Sequence, residues 1–305
     1  MNPAPASRPT IWDNLSITFH LCKILLCLSR TRSDLVYDVL SERHVMGDNS
    51  LYINLGYWKE AKTLDEAAKD LAALLARKTG FLGGDRILDA GFGFADQDIQ
   101  WANAYAGLHI AGLNISPLQV RAAQRRVRDA GLAGQIDLQV GDAVATRFDA
   151  SIFDRVVALE SAFHFRSRPQ FFSEAYRVLR PGGRMGLADF VDAPSRMQPR
   201  GIRQRLARLA GMASWQIPAR NLISREKYRQ EMLEAGFRNV EVESVGEHVF
   251  GPFEAYQRNR FDSPSFRSRY HPLILRMARF QIDWGFLRTI DYVIATGEKD
   301  PATTA

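Results

Sequence analysis

Short apolar runs alternate along the chain with stretches in which apolar residues recur every three or four positions. The runs cover the residues ending at Ile87-Leu88, then Ile110–Ile115, Ile136–Gln139, Phe153–Glu160, Arg184–Phe190, Val240–Val245 and Thr289–Ala295. Each predicts a buried strand. Thr63–Lys78 sets Leu64, Ala67, Ala68, Leu71, Leu74 and Leu75 along one helical face and stops near Gly80. Leu118–Gly131 has the same period, behind Ser116 as N-cap and Pro117 in the first turn. Phe171–Leu179 is helical up to the stop Arg180-Pro-Gly-Gly183, and Ser224–Ala235 runs from a serine cap to Gly236. Strands and helices alternating in this way predict an α/β fold whose parallel sheet is covered on both faces.

The turn after the first strand carries the chemistry. Asp89-Ala-Gly91-Phe-Gly93 packs an acid and two glycines into five positions. Glycine lets backbone approach a ligand, and the following helix points its free N–H groups at the same place. Such a crevice lies at the carboxyl edge of a parallel sheet. A nicotinamide or flavin site is the competing reading. The spacing Gly91-x-Gly93-x-Ala95, with the acid ahead of the glycines, differs from the dinucleotide pattern. An aspartate after the third strand (Asp142) and a Pro-Gly-Gly turn before the fifth have no part in that pattern.

This ordered set resembles the class I S-adenosylmethionine-dependent methyltransferases, well over Asp85–Asp192 and more loosely over Ser224–Lys299. The block Val156–His164 followed by Ala175–Gly183, and Tyr52-Ile-Asn-Leu-Gly-Tyr-Trp58 ahead of the core, resemble the bacterial subgroup acting on small specialised metabolites: sugars, polyketides and terpenoid precursors. The resemblance implies a Rossmann-like, seven-stranded, mostly parallel sheet with helices on both faces. Its seventh strand would run antiparallel between the fifth and sixth. Residues 1–83 would form a helical N-terminal cap or lid. Residues 84–299 would form the cofactor-binding domain, with lid insertions at about 193–223 and 250–288, and 300–305 a tail. The implied cofactor is S-adenosyl-L-methionine. Asp89, Gly91 and Gly93 would line its amino-acid end, Asn114 its ribose, and Asp142 with the Ala143 N–H its adenine, with Ile115 a further cofactor contact. Two positions depart from the family pattern: Asn114 stands where an acid is common, and Ala95 where a third glycine is usual.

Methyl transfer from a sulfonium is an in-line displacement, so the protein chiefly aligns groups and excludes water. A hydroxyl acceptor also benefits from a base. His164, just after the fourth strand, is the candidate base; holding backbone or substrate is the alternative. Glu160, at the end of that strand, is a second candidate for catalysis or cofactor contact, with a hydrogen bond to a neighbouring loop as the competing reading. Tyr52, Tyr57, Trp58 and Trp215 are candidate substrate contacts, with plain aromatic packing as the alternative.

The composition is that of a globular chain: 305 residues, 46% hydrophobic and 24% charged. Cys22 and Cys27 are the only cysteines and have no metal-ligand spacing, so neither a disulfide scaffold nor a metal site is expected, and a cytoplasmic setting is. The net charge of +6 comes mostly from arginine. Arg196, Arg200, Arg203, Arg205 and Arg208 cluster after the fifth strand, and guanidinium forks suit phosphate. The resemblance implies a small lipophilic metabolite methylated at O or C as acceptor, and the arginine cluster suits prenyl diphosphate C-methylation, the alternative. A cofactor-binding protein without activity is the non-enzyme reading. No nucleic-acid recognition module is present in the sequence. Leu15–Leu28 is apolar, interrupted by His20 and Lys23, and shorter than a bilayer span. It suits packing on the core or in a homodimer, with peripheral membrane contact as the other reading.

Overall fold

The computed structural model describes residues 49–194, 201–267, 276, 279 and 285–301. Leu15–Leu28, both cysteines, Arg196 and Arg200 lie outside the described residues. Helix α1 (Leu64–Thr79) opens on a capping box between Thr63 and Glu66 and closes on left-handed Gly80. The chain then alternates: β1 (Arg86–Ala90), α2 (Asp96–Ala104), β2 (His109–Asn114), α3 (Pro117–Asp129), β3 (Ile136–Val140), β4 (Phe153–Leu159), α4 (Arg168–Val178) and β5 (Leu179–Asp192). α5 (Ile202–Ser214), α6 (Arg225–Glu234), β6 (Arg238–Ser244), α7 (Phe250–Asp262) and β7 (Ile290–Glu298) follow.

The seven strands form one sheet in the order β3-β2-β1-β4-β5-β7-β6. β7 runs antiparallel to both β5 and β6, and the other pairings are parallel. This is the Rossmann-like arrangement expected. The connection reverses direction between β1 and β4, which opens a crevice at their carboxyl ends.

Alternation along the strands supplies both faces. Ile87, Val157 and Phe190 join Leu71 and Leu75 of α1 and Trp101 of α2 in one buried cluster. Leu88, Val156 and Leu187 join Phe171, Phe172, Tyr228 and Met232 in the other. Burying one such side chain stabilises by roughly 1.5–3 kcal/mol. α1, inside the span expected as a cap, thus covers one face of the sheet.

Three elements begin two or more residues earlier than the sequence expectation. β5 begins at Leu179, because pairing with β4 continues across Arg180–Gly183 through a register shift between Phe153 and Arg155. α4 begins at Arg168, where Ser167 Oγ accepts the Gln170 N–H and Pro169 sits in the first turn. β6 begins at Arg238. The two insertions pack on each other: a methyl at Gly211 of α5 would lie 2.1 Å from the Phe286 ring, so only glycine permits this approach. No described helix is long and apolar enough to cross a membrane.

Candidate functional site

The crevice has two halves, and the β1 turn builds the first. Gly91 has φ 106° and its N–H bonds the Leu113 carbonyl at 2.8 Å. A methyl there would stand 2.3 Å from Ser161 Cβ. The turns after β1 and β4 therefore abut, and Ser161 Oγ donates to the Ala90 carbonyl. Ala95, which caps α2, is left-handed at φ 65°. That conformation is the physical reason glycine is usual there.

Asp89 is fully buried. Its Oδ2 accepts from Gln97 Nε2 at 3.1 Å, whereas Oδ1 faces no donor other than the Asp98 carboxyl among the described residues. Asp98, also fully buried, lies within hydrogen-bonding reach of the Asp89 carboxyl, and its oxygens have no other side-chain partner among the described residues. Burial pushes the Asp89 carboxyl up to about 7 and that of Asp98 well up, and their proximity disfavours charging both. Arg126 of α3 pins the loop from outside, donating to the Phe94 carbonyl at 2.6 Å and to the Asp96 carboxylate.

At the end of β2, Asn114 Oδ1 accepts the Ser116 N–H at 3.0 Å and its Nδ2 donates to Gln119 Oε1 at 2.8 Å. The Nε2 of Gln119 is buried without a partner among the described residues. Sequence reasoning missed Gln119. It stands at the third position after the Ser116 cap, where a side chain leans back toward the helix start, and that spacing could have flagged it. Three apolar side chains are left uncovered: Ile115 just after β2 at 42%, Leu118 in the first turn of α3 at 40% and Val140 at the end of β3 at 55%. Asp142 beside them is exposed, its Oδ1 accepting the Val144 N–H at 3.0 Å and its Oδ2 lying 3.7 Å from Arg166 Nε. Ala143 is buried.

The second half is assembled by distant residues. His164 closes a 3-10 turn, Ala162–His164, after β4. Its ring rests on Phe163, which stacks on Phe190 at 4.3 Å. The Nδ1 atom lies 3.3 Å from the Gln216 carbonyl oxygen. Desolvation pushes the imidazole down to about 4, so it is neutral at physiological pH. Trp215, half-buried, packs against Phe190 and Phe286.

Glu160 is left-handed at φ 49°. One oxygen, Oε1, accepts both the Leu55 N–H and the Tyr292 hydroxyl, each at 2.8 Å. Burial pushes this carboxyl up to about 8. The contact belongs to a strap, residues 49–58, that crosses the crevice. Asp96 Oδ1 receives the Leu51 N–H at 3.1 Å, and the Tyr52 hydroxyl bonds Gln100. The Trp58 N–H reaches the His248 carbonyl at 2.8 Å, and Ile53 lies over Gly93. Tyr57 meets the His248 ring edge-on, and Trp58 the Tyr256 ring. Of the arginine cluster, Arg208 is committed to Asp192 and to the Thr289 carbonyl, while Arg205 is exposed.

Known proteins are similar to this chain. Residues 88–187 match the family model described as a methyltransferase domain. Over 287 residues the chain is 33% identical to erythromycin 3''-O-methyltransferase of Saccharopolyspora erythraea, covering 89% of this chain and 91% of that protein. Over 273 residues it is 30% identical to 27-O-demethylrifamycin SV methyltransferase of Amycolatopsis mediterranei, covering 87% and 94%. Geranyl diphosphate C-methyltransferase from Streptomyces coelicolor A3(2), solved with Mg2+, geranyl diphosphate and S-adenosyl-L-homocysteine, is similar in fold. Its TM-score is 0.62 at 19% identity, covering 78% of this chain and 82% of that one.

Proposed function

The chain belongs to the S-adenosylmethionine-dependent methyltransferases, and on that premise we propose that it methylates a hydroxyl of a lipophilic specialised metabolite. A polyketide, or a sugar carried on one, is the acceptor class. The names of its relatives, O-methyltransferases of erythromycin and demethylrifamycin, support this reading. The observation that carries it is the neutral, carbonyl-bonded His164 at the carboxyl edge of β4.

The polar groups of the first half suit the cofactor, which supplies a methyl group already activated on sulfur. The buried Asp89 carboxyl, whose Oδ1 faces no donor other than the Asp98 carboxyl among the described residues, is suited to the ammonium of its amino-acid end beside Gly91 and Gly93. Gln119 Nε2, oriented by Asn114, is an unpaired donor suited to a ribose hydroxyl. Ile115, Leu118 and Val140 offer apolar surface to a purine, with the Asp142 carboxylate and the Ala143 N–H at its rim.

His164 would take the acceptor hydroxyl's proton as its oxygen bonds the methyl carbon, the S–C bond breaking with its electron pair left on sulfur. A base of lowered pKa transfers little driving force in the ground state. It is fully in its accepting form at neutral pH, however, and the developing charge on the ring is local to the reaction. Glu160 holds the strap through Leu55 rather than acting as the proton acceptor. Tyr57, Trp58 and Trp215 wall the acceptor side, and Tyr52 anchors the strap on α2. A diphosphate acceptor is less well served, because Arg208 already has two partners. From its apolar pattern alone, Leu15–Leu28 is proposed to pack on the core or on a second copy of the chain; sedimentation velocity of the full chain tests the dimer.

The test is turnover with labelled S-adenosylmethionine against hydroxylated macrolide glycosides, ansamycins and geranyl diphosphate. Label is expected in an alkali-stable methyl ether of the first two. Transfer to geranyl diphosphate alone would overturn the hydroxyl reading.

A further inference from the structure

We propose that the segment 215–221 fixes the tautomer of His164: Gln216 and Asn221 are positioning residues that keep the ring proton on Nδ1 and the lone pair on Nε2. The inference deepens, and rests on, the assignment of His164 as the base.

Two independent grips converge on this one side chain. The first acts on the ring. A carbonyl oxygen only accepts, so the contact between Gln216 O and Nδ1 requires a proton on Nδ1. A neutral imidazole has one N–H, which leaves the lone pair on Nε2. The carbonyl is aimed by strained backbone. Gln216 sits at φ 50°, a region non-glycine residues rarely occupy, immediately after Trp215 closes α5. The turn is held by the Trp215 N–H on Gly211 O at 2.8 Å, that of Gln216 on Ala213 O at 3.2 Å and that of Ile217 on Met212 O at 2.9 Å. Strain of this kind persists only where the surroundings over-determine it. Here the surroundings are the Trp215 ring against Phe190 and Phe286. The negative end of the α5 dipole further favours an N–H pointing at it.

The second grip acts on the backbone. Asn221, 1% exposed, donates from Nδ2 to the carbonyls of Phe163 and Phe165, at 3.0 and 2.6 Å. These two carbonyls bracket His164. The Asn221 carbonyl in turn receives Arg168 Nη1. Arg168 is paired with buried Asp189 at 2.9 Å, and Asp189 also accepts the Tyr228 hydroxyl at 2.9 Å. The chain Asp189–Arg168–Asn221 thus ties the turn to β5. One loop orients the ring and its backbone together, and both anchors lie in the insertion that follows β5.

A simple brace would hold the turn whichever nitrogen carried the proton, so the decisive readout is the tautomer itself. Protein labelled with 15N-histidine and saturated with S-adenosyl-L-homocysteine gives a long-range 15N–1H spectrum at neutral pH. The His164 signals are those missing from His164→Asn. The wild type is expected to show the Nδ1-protonated pattern. Asn221→Ala is expected to show tautomers averaged as in free imidazole. Its kcat should fall on the order of 10²-fold, and the acid limb of its kcat profile should move to lower pH, because the Gln216 carbonyl favours the charged form of this buried imidazole. Its KM for the cofactor should stay put. Gln216→Gly keeps the carbonyl and accepts the positive φ, so its spectrum should keep the Nδ1-protonated pattern. Gln216→Pro, locked near φ of about −65°, should match Asn221→Ala. If Asn221→Ala does not fold, the wild-type spectrum and the Gln216 pair still decide. An Nε2-protonated wild type, or an unmoved acid limb in Asn221→Ala, overturns the inference and leaves the base assignment standing. Full turnover by His164→Asn overturns that assignment, and with it the catalytic purpose of the two grips.

Discussion

The two halves of the crevice are built on opposite plans. The half proposed to hold the cofactor draws its groups from turns of a few consecutive residues: Asp89 to Ala95, Asn114 to Gln119, and Asp142 with Ala143. The acceptor half brings together residues far apart in sequence. Gln216 and Asn221 reach a turn about fifty positions earlier, and Glu160 joins Leu55 to Tyr292 across the sheet. The cofactor is common to the whole family, whereas the acceptor differs. A local turn repeats wherever the same fold repeats, while a set of long-range contacts is rebuilt with each insertion. The acceptor side therefore varies at little cost to the cofactor side.

Substitutions can break this division. The largest expected effect is on chemistry alone. His164→Asn should lower kcat by roughly 10²–10⁴-fold, the usual worth of a general base. The S-adenosylmethionine Kd, measured by calorimetry, should stay within about twofold because no cofactor group is touched. A Kd that rises with the loss of kcat would show the two halves to be coupled.

Gly91→Ala attacks the other side. Its new methyl meets Ser161 at a φ of 106°, so the turn must open. At about 3 kcal/mol of strain, cofactor Kd should rise on the order of 10²-fold. Because the abutting residue is Ser161, Gly91→Ala/Ser161→Gly should recover part of the affinity, and no recovery would remove that contact as the cause.

Glu160→Gln separates holding from catalysis. The folded carboxyl titrates at about 8 instead of its ordinary 4.5. Its contribution to stability is present below pH 4.5 and is lost as pH rises through 8. Glutamine cannot ionise and keeps the oxygen that Leu55 and Tyr292 use. The variant should therefore gain on the wild type as pH rises across that window, by at most about 1.4 kcal/mol per pH unit. Chemical denaturation at several pH values measures this, and parallel curves would mean that the carboxyl is hydrated.

Smaller effects sharpen the comparison. Gln119→Leu deletes one donor and should weaken cofactor binding roughly tenfold, the worth of about 1–1.5 kcal/mol. Unchanged affinity would leave Asn114 alone at the ribose. Ala95→Gly relieves left-handed strain of about 1–2 kcal/mol. It also removes a buried methyl worth about 0.8 kcal/mol. Net stability by thermal melting should thus rise by no more than about 1 kcal/mol, which is why alanine is tolerated there.

Much of the cofactor half is legible in the sequence itself. A strand ending in Asp89-x-Gly91-x-Gly93 names its own geometry, because backbone amides and missing Cβ atoms act within a few residues. Ser116 and Pro117 likewise mark the start of α3. Gln119 escapes only because its unpaired donor is visible once Asn114 is seen to occupy its other end. The acceptor half is legible as single candidates without a circuit. The sequence offers His164 and Glu160 as alternative bases. Only the fold shows one bonded to a carbonyl and the other holding a strap.

The chain's hydrophobic period, caps and glycines determined the order of strands and helices, the parallel sheet, and the turn that offers its backbone to a ligand, while the reversed seventh strand came from the family resemblance. All but that strand's direction are consequences of short-range sterics and of which side chains leave water. The partners of His164, the service of Glu160 and the commitment of Arg208 were decided by tertiary structure alone. Each depends on a backbone carbonyl or a distant side chain brought within bonding distance by packing, and no local pattern encodes that meeting.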